Sequence, residues 1–450
     1  RFPSSDRCLE APRRTHLLSP HPPQIMSAPT SSVRPWVWIP TLYFAQGVPY
    51  VVVMTLSTVV YKNLGVSNTD IALYTSWLYL PWVIKPLWSP LVDMFGTKRR
   101  WIVTLQFVVG VALALVALTL PGPEFFRLSL AVFWLMAFSS ATHDIAADGF
   151  YLLAMPAGQQ SAFVGVRSTF YRLATLSAQG GLVYLAGRWQ ESTGSVTQSW
   201  ALVFGLLAAV FIAAGVYHAF ALPRPPVDRP TAGDGGLGRE FLGVFAGFLR
   251  KPGILTVLAF LLLYRLGEAQ ALKLLSPFLL DARDKGGLGL STREVGIVYG
   301  TVGIAALTLG GLLGGWAISR RGLKAMLWPM ILATHAPIAV FLLLALYQPA
   351  NLWLIGAGLA VEQFGYGFGF TAYMLYMMLV AEGPHKTAHY AICTGFMALG
   401  MMLPGMAAGW IEDQVGYVKF FAWVLLCTVP SFIVVARLRI DPAFGRKQAD

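Results

Sequence analysis

The chain has 450 residues, of which 56% are hydrophobic and only 12% are charged. Soluble domains contain about a quarter charged residues, so most of this chain must face an environment other than water. An aromatic content of 13% excludes extended disorder, and three scattered cysteines (Cys8, Cys393 and Cys427) exclude a disulfide scaffold. The net charge of +12 raises the question of a nucleic-acid partner, and the answer depends on where the basic residues lie.

The first residues of the chain differ in composition from the rest. Residues 1–25 are rich in Arg, Ser and Pro and contain no apolar run of the kind that a secretory signal requires. Met26 opens the stretch Met-Ser-Ala-Pro-Thr, which has the character of a natural start. We therefore expect residues 1–25 not to be native, with a transit peptide as the alternative, and residues 1–35 to be disordered.

Runs of about twenty apolar residues, the length that crosses a bilayer as a helix, recur along the chain. Twelve such runs are predicted, at 36–60, 70–92, 101–121, 127–155, 163–187, 198–222, 253–280, 293–318, 323–347, 351–381, 387–410 and 417–437. A charged, Pro/Gly-rich segment at 223–252 separates the sixth run from the seventh. The sequence thus predicts a six-helix bundle at 36–222, a cytoplasmic linker at 223–252, a second bundle at 253–438 and a cytoplasmic tail at 439–450.

The basic residues are distributed unevenly between the two sides of such a protein. When the N-terminus is placed in the cytoplasm, most of the 33 Lys and Arg residues fall in cytoplasmic segments and few fall in outside loops. By the positive-inside rule, this excess predicts that both termini are cytoplasmic. The net charge therefore reports topology, and we expect the lipid bilayer, not a nucleic acid, as the surroundings of the chain.

A short basic turn that contains glycine occurs at matching places in the two halves. Residues 93–100 read Asp-Met-Phe-Gly-Thr-Lys-Arg-Arg after the second run, and residues 319–324 read Ser-Arg-Arg-Gly-Leu-Lys after the eighth. This repetition is the pattern of the major facilitator superfamily, whose halves are parallel repeats. We predict an all-α membrane protein of twelve transmembrane helices in two six-helix repeats, the major facilitator fold, with a cytoplasmic gate loop formed by Asp93, Gly96, Arg99 and Arg100.

Two acids in the fourth span, Asp144 and Asp148, are four residues apart and share one helix face. Charges inside a membrane need partners, and Lys85 and Arg172 are available at similar depth, whereas Arg167 lies nearer the inner surface and could snorkel outward. The cluster is compatible with salt bridges that only join helices. It is equally compatible with a gate or proton site, since two neighbouring carboxylates favour protonation of one.

The seventh and tenth spans also carry charges near mid-depth, where transporters of this type keep their sites. Arg265 and Glu268 are three residues apart and can pair within one helix. Glu362, which precedes Gln363, has no partner in its own span. It is either paired across the bundle with Lys273 or Arg265, or protonated, which makes it a candidate proton carrier.

A glycine-rich stretch, Gly-Tyr-Gly-Phe-Gly at residues 365–369, follows in the tenth span. Glycines at such spacing let helices in membranes approach closely. Neither a strand nor a basic residue accompanies them, so they do not form a phosphate-binding loop. We therefore expect the tenth helix to pack tightly against its neighbours.

Several short motifs occur in order in the expected spans. They are Gln-Gly-Val-Pro-Tyr at 46–50, Leu-Pro-Trp-Val-Ile-Lys-Pro-Leu-Trp-Ser-Pro at 80–90 with the following Asp93, Ala-Thr-His-Asp-Ile-Ala-Ala-Asp at 141–148, Tyr-Arg at 171–172, Leu-Tyr-Arg-Leu-Gly-Glu at 263–268 and Glu-Gln-Phe at 362–364 with Gly367. Together these motifs resemble those of the AmpG-type muropeptide permeases, in the peptide/acetyl-CoA/drug branch of the major facilitator superfamily. The permeases usually have Gln at the position of His143, and commonly Lys and Asp at those of Arg265 and Glu268. These departures keep the type of charge in span seven and leave the substrate open.

The resemblance and the buried charges together predict a secondary transporter in the cytoplasmic (inner) membrane that carries a polar, anionic solute such as an anhydro-muropeptide into the cytoplasm by proton-coupled symport. The proton gradient is the driving force, and no cofactor and no metal are expected. The residues expected to carry or respond to the proton are Asp144, Asp148, Glu268 and Glu362. Those expected to hold the solute are Arg172, Arg265, Lys85, Tyr50, Tyr171, Tyr264 and Gln363. We expect a monomer.

Three alternatives remain at this point. The solute is acetyl-CoA or a siderophore in other relatives, so the resemblance does not settle the cargo. A receptor descended from a transporter would bind a ligand without moving it. A membrane enzyme with a metal on His143, Asp144 and Asp148 is disfavoured, because His143 points about 100° around the helix from Asp144 and no further His or Cys cluster completes the ligand sphere.

Overall fold

The computed structural model describes residues 34–155, 157–230, 237–383, 385–442 and 444–446, apart from the side chains of residues 93, 157–159, 161, 162, 164, 237–241 and 387. The predictions for residues 1–25 and for the rest of the N-terminal segment up to residue 33 fall outside the described residues. All regular secondary structure in the described ranges is helical. The α-helices of the first half are α1 (Pro35–Val51), α2 (Ser57–Asn63), α3 (Asn68–Trp77), α4 (Leu80–Met94), α5 (Lys98–Thr119), α6 (Phe125–Ala154), α7 (Ala157–Thr175), α8 (Val183–Thr193) and α9 (Val196–Ala221).

The second half begins after a helix within the linker. The helices are α10 (Leu237–Leu249) in the linker, then α11 (Ile254–Leu263), α12 (Leu266–Leu280), α13 (Thr292–Val295), α14 (Ile304–Arg321), α15 (Leu323–His335), α16 (Ala339–Tyr347), α17 (Leu352–Ala381), α18 (Lys386–Leu426) and α19 (Val429–Ala436). The composition of 223–252 did not reveal α10. Its Phe248 is fully buried and stacks on Phe396 at 6.3 Å between ring centroids, so this part of the linker packs against the second half.

Several α-helices join end to end into longer rods. Short π-helices at Val52–Leu56, Leu176–Leu182 and Gly296–Gly303 connect α1 to α2, α7 to α8 and α13 to α14. A 3-10 turn at Ala336–Ile338 connects α15 to α16. Within α18, Gly416 has φ 76° and ψ 163°, which interrupts the helix and divides it into two segments.

Nine helical segments of the described chain are long and apolar enough to cross a membrane. They correspond to ten of the twelve predicted runs, because the last two predicted runs are combined in residues 388–436. The runs at 70–92 and 163–187 are absent from the nine segments. These two runs are nevertheless helical, as α3 with α4 and α7 with α8. Their interiors carry charged side chains, including Lys85 and Arg167, which lower their hydropathy.

The buried apolar side chains show where the two halves meet. We call the end of the bundle at residues 63–68, 280–292 and 411–417 the far end, and the end that carries the linker the linker end. One core cluster contains residues from both halves, among them Val60, Phe278 and Phe421. The other two clusters belong to one half each, around Phe150 in the first and around Phe260 in the second. Among the described residues, the halves therefore share an apolar core only toward the far end.

Polar contacts complete the closure of the far end. The Lys62 ammonium pairs with Asp281 at 2.6 Å, and Asn68 donates to Glu412 Oε2 at 2.7 Å and to the Tyr417 hydroxyl at 2.9 Å. Each of these contacts joins a residue of the first half to one of the second.

Two further contacts lie beside them. Asn63 Nδ2 donates to Thr292 Oγ1 at 2.9 Å, and Arg293 pairs with Glu191 at 3.1 Å. Lys62 and Arg293 thus both take part in contacts between the halves. The far end is therefore held by an interlocked set of hydrogen bonds and ion pairs.

The π-helical segments at Leu176–Leu182 and Gly296–Gly303 also meet between the halves. A Cβ atom added to Gly300 would overlap the backbone of Gly180, and one added to Gly180 would lie 2.8 Å from Thr301 Oγ1. Only glycine fits at such a backbone-to-backbone approach. The two halves thus touch here without side chains between them.

The glycines of α17 pack as predicted. A Cβ atom on Gly365 would overlap the carbonyl oxygen of Ala333 in α15, and one on Gly367 would overlap that of Leu307 in α14. The stretch therefore lets α17 approach the backbones of two helices at once, which confirms the expectation of tight packing.

Replacing Gly367 with alanine is expected to destabilise the protein. The added methyl group would force α17 away from α14, and overpacking of this kind costs about 1–3 kcal/mol. Gly315→Ala in α14 is the matched control, because a Cβ atom there meets nothing within 4 Å. Thermal unfolding in detergent should show a lower Tm for Gly367→Ala and an unchanged or slightly higher Tm for Gly315→Ala; equal Tm values would contradict the packing described.

Candidate functional site

In the first half, Asp144 of α6 lies at the centre of a polar cluster. Its Oδ2 accepts a hydrogen bond from Trp82 Nε1 at 3.2 Å and lies 3.6 Å from the Lys85 ammonium. Trp82 in turn packs edge-on against Tyr50 of α1, with 5.2 Å between ring centroids. Lys85, Asp144 and Tyr50 were predicted site residues, and the structure brings them together through Trp82, which the sequence analysis missed.

Asp148, one helical turn further along α6, has a different cation. Arg167 of α7 lies 2.8 Å from Asp148 Oδ1 and is stacked over the Tyr43 ring at 4.5 Å. Arg167, which could also have snorkelled outward, thus forms an ion pair with the second acid of α6. The sequence could not decide this, because the rotation of α7 about its axis determines which of its arginines faces α6.

Arg172, which had been expected near the acids of α6, faces the second half instead. Its Nη2 lies 3.4 Å from the place that a Cβ atom on Gly311 would occupy, and no described acid lies within 4.0 Å of it. The neighbouring Tyr171 packs against α1, where its backbone oxygen is 3.0 Å from the Cβ position of Gly47. Arg172 is thus a cation between the halves that has no ion pair among the described side chains.

His143 does not join its neighbour Asp144. It is buried against Gln106 of α5, at 3.2 Å between Nε2 atoms, and the same amide contacts His218 of α9 through its oxygen at 2.9 Å. In the described part of the chain, no group of three or more His, Cys, Asp or Glu residues is arranged to hold a metal ion. His143 therefore lies on a different face of α6 from the acids, as its offset of about 100° from Asp144 predicts.

In the second half, the chain leaves helical geometry at Arg265 (φ −108°, ψ 16°), between α11 and α12. Its guanidinium pairs with Glu268, with Nε at 3.0 Å from Oε2, as predicted from their spacing. It also donates to the Tyr366 hydroxyl at 3.0 Å and lies 5.1 Å from the centre of the Phe370 ring. The side chains of Arg265 and Glu268 are only 8% and 2% exposed, so this ion pair is buried.

Glu362 of α17 lies in the same half but is not part of that pair. The residue is 1% exposed, and its carboxyl accepts a hydrogen bond from Gln363 Nε2 at 2.8 Å. Neither of the two cations proposed as its partner reaches it, because Arg265 pairs with Glu268 and Lys273 donates to Thr75. Among the described side chains, Glu362 therefore has no cation within ion-pair distance.

Tyr264 stands apart from the other predicted site residues. It is 1% exposed, its hydroxyl donates to the backbone oxygen of Gly369 at 3.2 Å, and its ring stacks on Tyr373 at 4.9 Å. These contacts tie α11 to α17 inside the second half. Although it precedes Arg265 in sequence, the break in the helix directs the two side chains to different neighbours.

The predicted gate loop lies at the linker end. Gly96 has φ 87°, which allows the tight turn before α5, and Thr97 caps that helix by accepting from the Arg100 amide at 3.2 Å. The Arg99 side chain binds the backbone at the end of α9, with Nε at 3.3 Å from Leu222 O. Asp93 was also predicted to belong to the gate loop, but its side chain is not among those described.

An unpredicted linker residue joins this loop. Asp228 accepts hydrogen bonds from the amides of Lys98 and Arg99, at 2.8 and 3.1 Å. A carboxylate at the start of a helix is favourable because the free amide groups and the helix dipole point toward it. The linker is therefore fastened to the first half at the loop that the sequence marks as a gate.

The polar clusters of the two halves face each other. Arg265 is close enough to Tyr50 and Tyr79 of the first half to interact electrostatically with both. The interior between the halves thus presents cations, paired acids and several aromatic rings. The rings of Tyr79, Trp82 and Tyr366 were not predicted to lie in this interior. The only signal in the sequence that could have indicated it is their proximity to charged residues.

Solved structures contain the same architecture. The chain superposes on a bacterial homologue of the human lysosomal transporter Spinster, in an inward-facing and unoccupied conformation, with a TM-score of 0.65, 15% sequence identity and coverage of 88% of this chain and 94% of that one. This similarity shows the fold, an all-helical bundle with apolar helices of membrane-spanning length.

The family follows from the sequence. Residues 41–378 match the pattern of the Major Facilitator Superfamily, and the chain belongs to this family. It is similar to the anhydromuropeptide permease of Escherichia coli (strain K12), with 27% identity over 406 residues that cover 88% of this chain and 77% of the permease. It is also similar to the putative transporter AmpG 4 of Rickettsia conorii (strain ATCC VR-613 / Malish 7), with 25% identity over 425 residues and coverage of 88% and 94%.

These similarities confirm the predicted resemblance to the AmpG-type permeases. They also confirm that the chain is a transporter, not an enzyme, and that it lies in the inner membrane as a multi-pass protein. The predicted fold is confirmed at the level of an all-helical major facilitator bundle.

Proposed function

We propose that the protein imports a polar, anionic solute of the anhydro-muropeptide class by proton-coupled symport, through alternating access, and that it acts as a monomer. In this proposal α1 to α9 and α11 to α19 form twelve membrane spans, as bundles at 36–222 and 253–438, with both termini cytoplasmic. Three observations support this number: the nine segments of membrane-spanning length, the two more polar helical runs formed by α3 with α4 and by α7 with α8, and the interruption at Gly416.

The observation that carries the proton coupling is the isolation of Glu362. Asp144, Asp148 and Glu268 each have a basic side chain within 4.0 Å, whereas Glu362 has none among the described residues. A buried carboxyl without a cation is stable when it is neutral and becomes costly when it is charged. Glu362 is therefore the residue whose proton the transport cycle adds and removes, and the three paired acids respond to it.

The solute class is supported by the lining of the interior and by the similarity to the permeases. Arg172, Arg265 and Lys85 are cations that can receive carboxylates. The rings of Tyr50, Trp82 and Tyr366 offer flat apolar faces with polar edges, which suit sugar rings. Tyr171 and Gln363 contribute hydrogen bonds in this proposal, whereas Tyr264 acts through packing.

Transport by purified protein tests the function directly. Proteoliposomes that contain the protein should accumulate an anhydro-muropeptide when an inward proton gradient is imposed, and a protonophore should abolish the accumulation. Acetyl-CoA and a siderophore serve as competing solutes. Accumulation that does not depend on the gradient would end the symport proposal, and binding without uptake would identify a receptor.

A cross-link across the far end tests alternating access. Asn63 and Thr292 lie in opposite halves and are joined by a hydrogen bond, so the halves must separate there for the far side to open. In Asn63→Cys/Thr292→Cys, a short bifunctional thiol reagent should reduce uptake to background, and a reducing agent should restore it. The single variants treated in the same way control for the native cysteines, including the buried Cys393 and Cys427. Full uptake by the cross-linked protein would show that the far end need not open.

A further inference from the structure

A buried lysine outside the clusters described above has only neutral neighbours. Lys273 of α12 is 5% exposed, and its ammonium donates to Thr75 Oγ1 at 2.8 Å and lies 5.3 Å from the centre of the Tyr79 ring. The acids nearest to it along α12 are engaged elsewhere, Glu268 with Arg265 and Asp281 with Lys62. No described carboxylate lies within ion-pair distance of Lys273, which is unusual for a basic group at this depth.

A second polar group beside it lacks any partner. The Ser76 hydroxyl is fully buried and makes no hydrogen bond to a described residue. It converges with Lys273 on Gly405 of α18, where an added Cβ atom would lie 2.8 Å from Ser76 Oγ and 3.1 Å from Lys273 Cγ. The unpartnered hydroxyl and the aliphatic stem of Lys273 thus pack on the same glycine, where the neighbouring helix has no side chain.

The position of this group in the bundle suggests when a ligand could reach it. Thr75 belongs to the first half and Lys273 to the second, so their hydrogen bond crosses between the halves. Lys273 precedes Asp281 of the closed far end by eight residues, about 12 Å along a helix. When the far end opens, Thr75 withdraws from Lys273, and the ammonium group loses its only described acceptor and meets water from the far side.

We infer that the Lys273 ammonium is an anion-binding site that receives a carboxylate of the solute in the conformation open to the far side. In the closed structure, the Thr75 hydroxyl oxygen occupies the acceptor position that a carboxylate oxygen takes in the open one. Binding there precedes transfer of the solute to Arg265, deeper in the interior. The inference rests on the proposed function in one respect, that the solute is anionic and enters from the far side.

The first test compares two solutes. Lys273→Gln should raise the KM for an anhydro-muropeptide with free peptide carboxylates about tenfold or more. The KM for the same compound with its carboxyl groups converted to amides should change by no more than about twofold, because only the carboxylate form loses a charged hydrogen bond. Lys273→Arg should keep the preference for the carboxylate, and Lys419→Gln, which removes an exposed charge at the same end, should not alter it. An equal rise in KM for both solutes would overturn the inference.

The second test needs no solute and stands even if the proposed function fails. In Thr75→Cys, the new thiol should react faster with an anionic sulfonate thiol reagent than with its cationic ammonium counterpart, when both are added from the far side. The preference should disappear in Thr75→Cys/Lys273→Gln. A wild-type protein that transports no muropeptide would refute the proposed function alone, whereas the absence of a charge preference in Thr75→Cys would refute the anion site.

Discussion

Glu362→Gln is expected to reduce proton-driven accumulation of solute to the level measured without a gradient, while exchange of solute across the membrane continues. Glutamine cannot take up or release a proton, but it keeps the size of the side chain and can still bond to Gln363, which lies 2.8 Å away. Because no charge is left unpaired, the Tm should remain within a few degrees of the wild type. The measurement is uptake in proteoliposomes with and without the gradient, beside counterflow of labelled solute.

The matched control is Glu382→Gln, which removes an exposed carboxylate at the linker end. It should leave accumulation unchanged. If Glu362→Gln accumulates solute as well as the wild type does, the proton is carried elsewhere, and the paired acids Asp144, Asp148 and Glu268 become the candidates. If exchange is lost together with accumulation, Glu362 is needed for binding and not specifically for coupling.

Substitutions in the ion pair of Arg265 and Glu268 should affect the stability of the protein and its transport activity differently. Either Arg265→Met or Glu268→Gln leaves one buried charge without its partner, which costs about 3–5 kcal/mol in buried pairs. The double substitution Arg265→Met/Glu268→Met removes both charges, and apolar replacements of a buried pair are often neutral or stabilising. We therefore expect low Tm values in the single variants, recovery of the Tm in the double variant and no uptake by any of the three.

Thermal unfolding and uptake, measured on the same preparations, separate these effects. A double variant as unstable as the single ones would mean that the pair contributes to the fold through the hydrogen bond to Tyr366 and the contact with Phe370. A stable double variant with normal uptake would remove Arg265 from the solute site. Lys324→Met, which removes an exposed cation at the linker end, controls for a general effect of losing positive charge.

The features that could be predicted from the sequence are those that depend on local geometry. The spacing of Arg265 and Glu268 predicts their contact, because residues three apart lie on one side of a helix or a helical turn. The spacing of the glycines in α17 predicts close packing, and the length of the apolar runs predicts the helices. The change from apolar to charged composition also predicts a linker at 223–252, but it did not predict α10 within that segment.

The features that the sequence could not predict depend on how one helix is rotated against another. Arg167 and Arg172 lie on the same rod with similar surroundings in sequence, and only the packing of α7 shows that the first meets Asp148 and the second faces the other half. The same is true of Lys62 and Asp281, which are far apart in sequence and pair across the two halves. Contacts between the halves belong to one conformation of the protein, and a composition pattern carries no information about conformation.

The glycine contact between Gly180 and Gly300 has a consequence for how the transporter responds to its surroundings. Two backbones that meet without interlocking side chains offer little resistance to a rocking movement, so the resistance is concentrated in the ion pairs and hydrogen bonds of the far end. The pair of Arg293 and Glu191 is about 40% exposed, so it is open to screening by salt, which acts over about 8 Å at physiological ionic strength. Salt on the side of the membrane that the far end faces should therefore weaken this pair and shift the balance of conformations toward opening of the far end.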